Sequence, residues 1–441
     1  MPSYYASLDN AALDAEIARL EAQVDEIRAR GLKLNMARGK PSPEQLDLSL
    51  PLLDVLGADS DLTACDGTDC RNYGVLMGIP ECRGLFGELF GVPAAQVFVG
   101  GESSLTLMYD AVSHAMTHGV CGAEPWMLQM ARAKKQGATL KWLCFVPGYD
   151  RHFAISESFG FELVAVPLHD DGPDMDEVER LVADPSVKGM WCVPQFSNPS
   201  GITYSDETVA RIAALSPAAP DFRVFWDNAY CEHPLAADFS DEERVANIFE
   251  ACERAGHPDL VYAFCSTSKM TMPGSGVSAL ATSPANLSDL AKTLTVQMIG
   301  HDKINQLRHV RFFGGLEGLR AHMRSQAAVL RPRFELVEER LQAGLGELGV
   351  ATWSHPRGGY FVSFDGPDGS AKAIVEMADS CGVKLTGAGS TWPHGCDPHD
   401  ANIRLAPSFP TLEELGEALD VFVACVRLVS ARIERAHRAE A

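Results

Sequence analysis

Three stretches decide the reading of this chain: GMWCVPQFSNPSG at residues 189–201, RVFWDNAY at 223–230 and LVYAFCSTSK at 260–269. Each opens as a short apolar run rich in β-branched and aromatic residues and then breaks into polar, turn-forming residues. That is the pattern of a buried strand handing its end to a loop. Working outward, the strand-like parts are 189–193, 223–226 and 260–265, and comparable runs lie at 96–100, 142–146 and 163–168. The intervals between them have room for crossover helices, so the spacing predicts βαβ units and a mostly parallel sheet. The fold class is α/β, with the sheet in a large domain at 55–315.

Beyond it, residues 316–348 read as a long helical stretch interrupted near Pro332. Strand-like pieces follow at 351–353 and 360–364, and then a final helix at 412–436. This mixture predicts a smaller α+β C-terminal domain at 316–441. At the other end, Leu13, Ile17, Leu20, Val24 and Ile27 recur at alternating spacings of four and three ahead of Gly31, which predicts an amphipathic helix. Segment 1–54 is then an arm packed on the small domain or on a second subunit.

The 441 residues carry 37 Lys and Arg against 59 Asp and Glu, a formal charge of −22, and 46% hydrophobic residues. A phosphate-backbone partner needs clustered cations, so nucleic acid is excluded as a partner, whereas a small anion recognised by a few local groups is not. The 12 cysteines are scattered without a CxxC pair, and several sit in apolar runs (Cys144, Cys192), as in a reducing compartment. The N-terminal residues lack a basic and an apolar signal region, and no window approaches 18 consecutive apolar residues. The expectation is a cytoplasmic protein with no membrane partner.

In an open parallel sheet, ligands collect at the carboxyl ends of the strands. Ser103 and Ser104 follow Gly100 and Gly101 at the start of a helical pattern, a cradle for an anion or phosphate. Three successive βα units end in Asn198, in Asp227 with Tyr230, and in Ser266-Thr267-Ser268-Lys269. Singly, these are a turn former, a helix cap and a surface charge. Converging on one sheet edge, they suit pyridoxal 5′-phosphate. That cofactor needs a lysine for its Schiff base, a carboxylate for its ring nitrogen, hydrogen bonds to its phenolate and a cradle for its phosphate. Lys269, Asp227, Asn198 with Tyr230, and Ser103 and Ser104 with Ser266 fill those roles in order.

On these residues the chain resembles the fold-type I pyridoxal-phosphate enzymes of the class I aminotransferase superfamily over nearly its whole length. The motifs are SNPSG at 197–201, DNAY at 227–230, STSK at 266–269 and NIRLAPSFP at 402–410. Through ARGKPSPEQLDLS, NYGVLMGIPECR, GGESSLTLMYDA and NQLRHVRFF it is most similar to a bacterial subgroup of aspartate aminotransferases. The resemblance implies a homodimer in which Tyr73 reaches the cofactor phosphate of the neighbouring subunit. It also implies that Tyr149 stacks on the pyridine ring, that Gly39 and Lys40 line the substrate pocket beside Asn198, and that Arg404 grips the substrate α-carboxylate through its planar fork. The implied reaction is ping-pong transfer of an amino group from an L-amino acid, aspartate above others, to 2-oxoglutarate. Lys269, Asp227 and Tyr230 would be the catalytic residues. Aromatic transamination or C–S β-elimination on the same scaffold is the alternative.

Two departures stand out. The family's phosphate-binding Arg, about eight residues after the lysine, is missing from Met270–Val277, so hydroxyls and amides around Ser266, Ser268 and 274–276 must substitute. No cation for a substrate's distal carboxylate is assigned, with Arg38, Lys303, Arg308 and Arg311 as candidates.

Three further motifs point elsewhere. Residues 274–279 match GxGxxA after a strand, yet the nearest acidic residue for a ribose lies in a helical pattern. His394, Cys396, Asp397 and His399 resemble a metal cluster but sit in a Pro- and Gly-punctuated loop without a second ligand pair, so no metal is expected. His114 and His118 lie four apart without the glutamate of HExxH.

Overall fold

The computed structural model describes residues 3–440. Eight strands form the main sheet: β1 (Val97–Val99), β2 (Lys141–Val146), β3 (Glu162–His169), β4 (Gly172–Pro173), β5 (Val187–Cys192), β6 (Arg223–Asp227), β7 (Val261–Ser266) and β8 (Ser278–Thr282). Their order is β1-β8-β7-β6-β5-β2-β3-β4. The pairings from β7 through β6, β5 and β2 to β3 are parallel, and β8 runs antiparallel to both β7 and β1. Two successive reversals give β1 the direction of β7, so the carboxyl ends of β1, β2, β5, β6 and β7 share one edge.

Both faces of the central strands β5, β6 and β7 are buried, which is why they read as continuous apolar runs, whereas β3 is only partly buried. Val224 and Trp226 of β6 pack into one core and Phe225 into the other. In β7, Val261, Ala263 and Cys265 face the first core while Tyr262 and Phe264 face the second. The period of two is intact, with apolar residues on both sides. Strand β8 escaped the reading because Ser278-Ala279-Leu280-Ala281-Thr282 lacks the bulky signature. It is wedged between two neighbours, where small side chains fit.

A third core forms around β9 (Thr352–Trp353), β10 (Val362–Asp365) and β11 (Asn402–Leu405), an antiparallel sheet backed by long helices. We label the helices used below α1 (Asn10–Ala29), α2 (Pro43–Asp47), α3 (Ser104–His118), α4 (Asp150–Ser158), α5 (Lys303–Phe313), α6 (Leu316–Leu345) and α7 (Leu412–Glu440). Helix α6 runs unbroken through Pro332, contrary to the expected interruption. Leu330 and Phe334 are buried on either side of the proline, and the Arg333 guanidinium donates to the Val329 carbonyl in the same turn. Burial of the apolar face on both sides outweighs the lost backbone bond.

Helix α1 packs on α7 of its own chain. Leu13, Leu20 and Val24 are buried, and Arg427, Arg432 and Arg435 pair with Glu16, Glu21 and Asp14. Beyond α1, Leu34 and Asn35 pair in parallel with Val383 and Lys384, and the chain then runs against Phe361 and Phe409 at Gly39 and Lys40. Among the described residues, no helix is long and apolar enough to cross a membrane.

Candidate active site

At the carboxyl edge lies a cavity of about 140 Å³. Its walls include Ser103, Ser104, Tyr149, Asn198, Asp227, Tyr230, Ser266, Ser268 and Lys269, so five strand ends and the start of α3 converge on it. Of the anticipated cofactor residues only Tyr73 lies elsewhere. It is 83% exposed, beside an open recess between residues 70–74 and 300–304.

Asp227 is the last residue of β6 and is 4% exposed. Its Oδ2 meets His152 Nε2 at 2.9 Å, while its Oδ1 is buried without a partner. His152, on α4, lies nearly parallel to Trp191, with 4.6 Å between ring centroids. Trp191 in turn packs on Trp142 and Phe225. An aromatic column from three adjacent strands thus holds the imidazole behind the carboxylate. His152 was not singled out in the sequence. The available signal was its position three residues after Tyr149 at a helix start, which places both on one side of α4.

Lys269 sits in a single turn, Thr267–Lys269, directly after β7. Thr267 ties that turn to the chain entering β8: its N donates to the Val277 carbonyl at 2.8 Å, and its Oγ1 accepts from Val277 N at 2.9 Å. The Lys269 ammonium lies 4.9 Å from the centre of the Tyr230 ring. Burial, reinforced by the Asp227 charge, pushes the Tyr230 hydroxyl well above its ordinary value, so it stays a neutral hydrogen-bonding group. Burial also raises Tyr149, an effect that Lys269 opposes.

At the anion end, Ser103 caps α3 with its backbone only. Its hydroxyl makes no capping bond, which leaves it and the first amides of a 15-residue helix uncommitted. Ser268 Oγ donates to the Glu102 carbonyl and so joins the two serine loops. Residues 274–276 do not line the cavity, contrary to expectation. They buttress it: a side-chain carbon at Gly276 would come within 3.0 Å of Ser268 Oγ, and Asn305 clamps the carbonyls of Ser275 and Gly276. The GxGxxA stretch runs into β8 rather than into a helix, so its glycines do not form a dinucleotide turn.

On the substrate side, Arg404 is carried by β11. Its Nη1 reaches Asn198 Oδ1 at 3.2 Å and Asp150 Oδ1 at 3.4 Å, its guanidinium lies 4.8 Å from the Phe361 ring centre, and its Nε is buried without a partner. A side chain at Gly39 would overlap the Phe361 ring. Lys40 places its ammonium 3.8 Å from the centre of the Phe409 ring, and its carbonyl accepts from Ser408 Oγ. Of the candidate distal cations, Lys303 is buried on the Gly74 carbonyl and Arg308 is bonded to Asn305, whereas Arg38 and Arg311 are exposed.

The histidine motifs have other partners: His114 binds Asp289, His394 binds Glu157 and His399 binds Asp368. Among the described residues, no group of three or more His, Cys, Asp or Glu is placed to hold a metal ion.

The site residues fit pyridoxal phosphate. A buried carboxylate oxygen lacking a donor matches a protonated ring nitrogen, and a strand-end lysine, the uncommitted Ser103 hydroxyl and the start of α3 line the same cavity.

Comparison with known proteins agrees. The aspartate amino-transferase family model matches residues 8–438. An aspartate aminotransferase of Corynebacterium glutamicum is 48% identical over 413 residues, 93% of each chain. A solved aspartate transaminase from Corynebacterium glutamicum superposes with a TM-score of 0.92 at 45% identity, covering 98% of this chain and 99% of that one. An α-aminoadipate aminotransferase of Thermus thermophilus, solved with N-(5′-phosphopyridoxyl)-L-leucine, shares the fold at 20% identity and a TM-score of 0.71, covering 91% of this chain and 95% of the other.

Proposed function

The chain belongs to the aspartate amino-transferase family and is an aminotransferase; on that premise we propose that it transfers the amino group of L-aspartate to 2-oxoglutarate with pyridoxal phosphate as cofactor. The cofactor assignment is carried by one observation, the unpartnered Asp227 Oδ1 in the same cavity wall as Lys269, with Arg404 bonded to Asn198 of that wall. Aspartate as donor is supported by the similarity to the Corynebacterium glutamicum aspartate aminotransferase.

When bound, the cofactor supplies an aldehyde that captures an amino group and a pyridinium ring that takes up the electron pair left at the substrate α-carbon. Asp227 Oδ1 would keep the proton on the ring nitrogen, and His152 leaves Oδ2 no freedom to turn away. Ser103, Ser104, Ser266 and Ser268 with the α3 amides would hold the phosphate, Tyr149 would cover the ring, and Asn198 and Tyr230 would bond its phenolate oxygen. Arg404 would grip the α-carboxylate with donors the protein leaves unspent, beside the wall formed by Gly39 and Lys40, which fixes the direction of the α-carbon hydrogen. Lys269 Nζ would then move that proton as base and acid.

The exposed Tyr73 supports a homodimer in which each chain completes its neighbour's phosphate site. We also propose the division into an arm at 1–54, a large unit at 55–315 and a small unit at 316–441, and a cytoplasmic location. The cores on the two faces of the main sheet support the large unit, and the arm's Leu13, Leu20 and Val24 share the core of the small unit.

The test is a single-substrate screen. The loaded protein is mixed with one amino acid and no oxo acid, and conversion of the cofactor to its amine form is followed by absorbance. Aspartate and glutamate should convert it fastest. A preference for aromatic amino acids, or pyruvate release from a β-substituted one, would replace aspartate with the corresponding alternative.

A further inference from the structure

The peptide carbonyls of Lys269 and Met270 face away from the cavity into a buried polar cluster that the reaction does not use. The Lys269 carbonyl accepts from Tyr360 Oη at 3.3 Å and lies 3.3 Å from His233 Nε2. Burial lowers the His233 pKa to about 3, so the ring is neutral, and with Nδ1 unpartnered its proton sits on Nε2, facing the carbonyl. The Met270 carbonyl accepts from His322 Nε2 at 2.8 Å and from Gln326 Nε2 at 3.2 Å.

Two of these donors lead to α2. Gln45 Nε2 donates to Tyr360 Oη at 3.0 Å and to Gln326 Oε1 at 3.1 Å, and Gln326 Nε2 returns to the Gln45 carbonyl at 3.0 Å. Gln45 also closes a capping box with Ser42, directly after the residues 39–40 that abut Phe361 and Phe409. All three side chains are at most 1% exposed. At the other end of the lysine, the rings of Tyr230, His233 and Tyr360 pack edge-to-face or tilted, 5.6–6.1 Å apart, and Tyr230 is the ring under the ammonium. Both ends of Lys269 therefore rest on one buried cluster.

We propose that Tyr360 is a positioning residue that, through Gln45 and Gln326, couples the seating of the substrate-side segment 39–45 to the placement of Lys269. Buried side chains that bond one another as Tyr360, Gln45 and Gln326 do hold one arrangement and transmit a shift of any of the three. The proposal rests on Lys269 being the reacting amine.

Tyr360→Phe tests it, because the ring packing remains and only the hydroxyl is lost. The expected result is a kcat about fivefold lower with KM for the amino donor within about twofold, as for one lost hydrogen bond acting on the reacting group. Independently of turnover, backbone amides at 268–272 should exchange with deuterium about fivefold faster in the full-length protein, with or without cofactor. Gln45→Met should behave alike, and the double variant should be little worse than either single, since both break one path.

A lower melting temperature with unchanged kcat and exchange would overturn the positioning role. Losses that multiply in the double variant would overturn the route through Gln45. Turnover retained in Lys269→Ala would refute the choice of reacting amine, and the exchange data would still judge the coupling.

Discussion

Replacing His152 by Phe isolates the support given to Asp227. The substituted ring can keep its stack on Trp191, so the aromatic column stays filled, while the 2.9 Å bond to Asp227 Oδ2 disappears. The carboxylate is 4% exposed and its other oxygen already lacks a protein donor, so the variant leaves a buried anion with no donor from the protein. A hydrogen bond to a charged group contributes about 1.5–3 kcal/mol, and its loss here falls on the group that would hold the ring nitrogen protonated. At about 1.4 kcal/mol per factor of ten, that is a loss of roughly 10- to 100-fold. It should divide between a weaker cofactor dissociation constant, measured by titrating the cofactor-free protein, and a lower kcat in saturating cofactor. Circular dichroism and the melting temperature should show the fold retained. If both constants stay within twofold of the parent, Asp227 does not depend on His152 and the account of the ring-nitrogen site is wrong.

Arg404→Lys preserves the charge and loses the planar fork. With one point donor in place of two parallel ones, kcat/KM for the amino donor should drop about 100-fold, seen in steady-state kinetics. Gly39→Ala pushes the Phe361 ring on which Arg404 rests, so KM should rise about tenfold while cofactor affinity is unchanged. Acid should destabilise the fold. His233 and His309 have folded pKa values of about 3 and about 4, lowered chiefly by burial, so below pH 6.5 the unfolded chain binds protons that the folded chain refuses. Stability then falls by about 1.4 kcal/mol per pH unit for each residue until its folded value is reached. Denaturant midpoints recorded from pH 7 to 4 should decline, and His233→Gln should make the decline shallower.

The sheet was legible because its central strands β5, β6 and β7 are fully buried and therefore continuously apolar. The cavity-lining residues were legible because they follow those strands directly. Asn198, Asp227 and Lys269 needed only the rule that neighbouring parallel strands present their carboxyl ends together. What escaped depends on partners distant in sequence. His152 acquires its role from Asp227, 75 residues on, and Tyr360 from Lys269, 91 residues back. No local pattern encodes either distance. Strand β8 was hidden for a different reason, since small residues suit a position squeezed between two strands and carry little β signal. Pro332 misled because a local rule was applied where burial on both flanks prevailed. Gly274 and Gly276 read as binding elements in the sequence, whereas Gly276 packs against Ser268 and supports it, and Gly274 faces open space.

The most direct check of the whole account is chemical mapping of the cofactor lysine. The loaded protein is reduced with borohydride, digested, and its peptides are read by mass spectrometry. A single phosphopyridoxyl group should be found, fixed on Lys269. A label on any other lysine, or loaded protein that yields no labelled peptide, would contradict it.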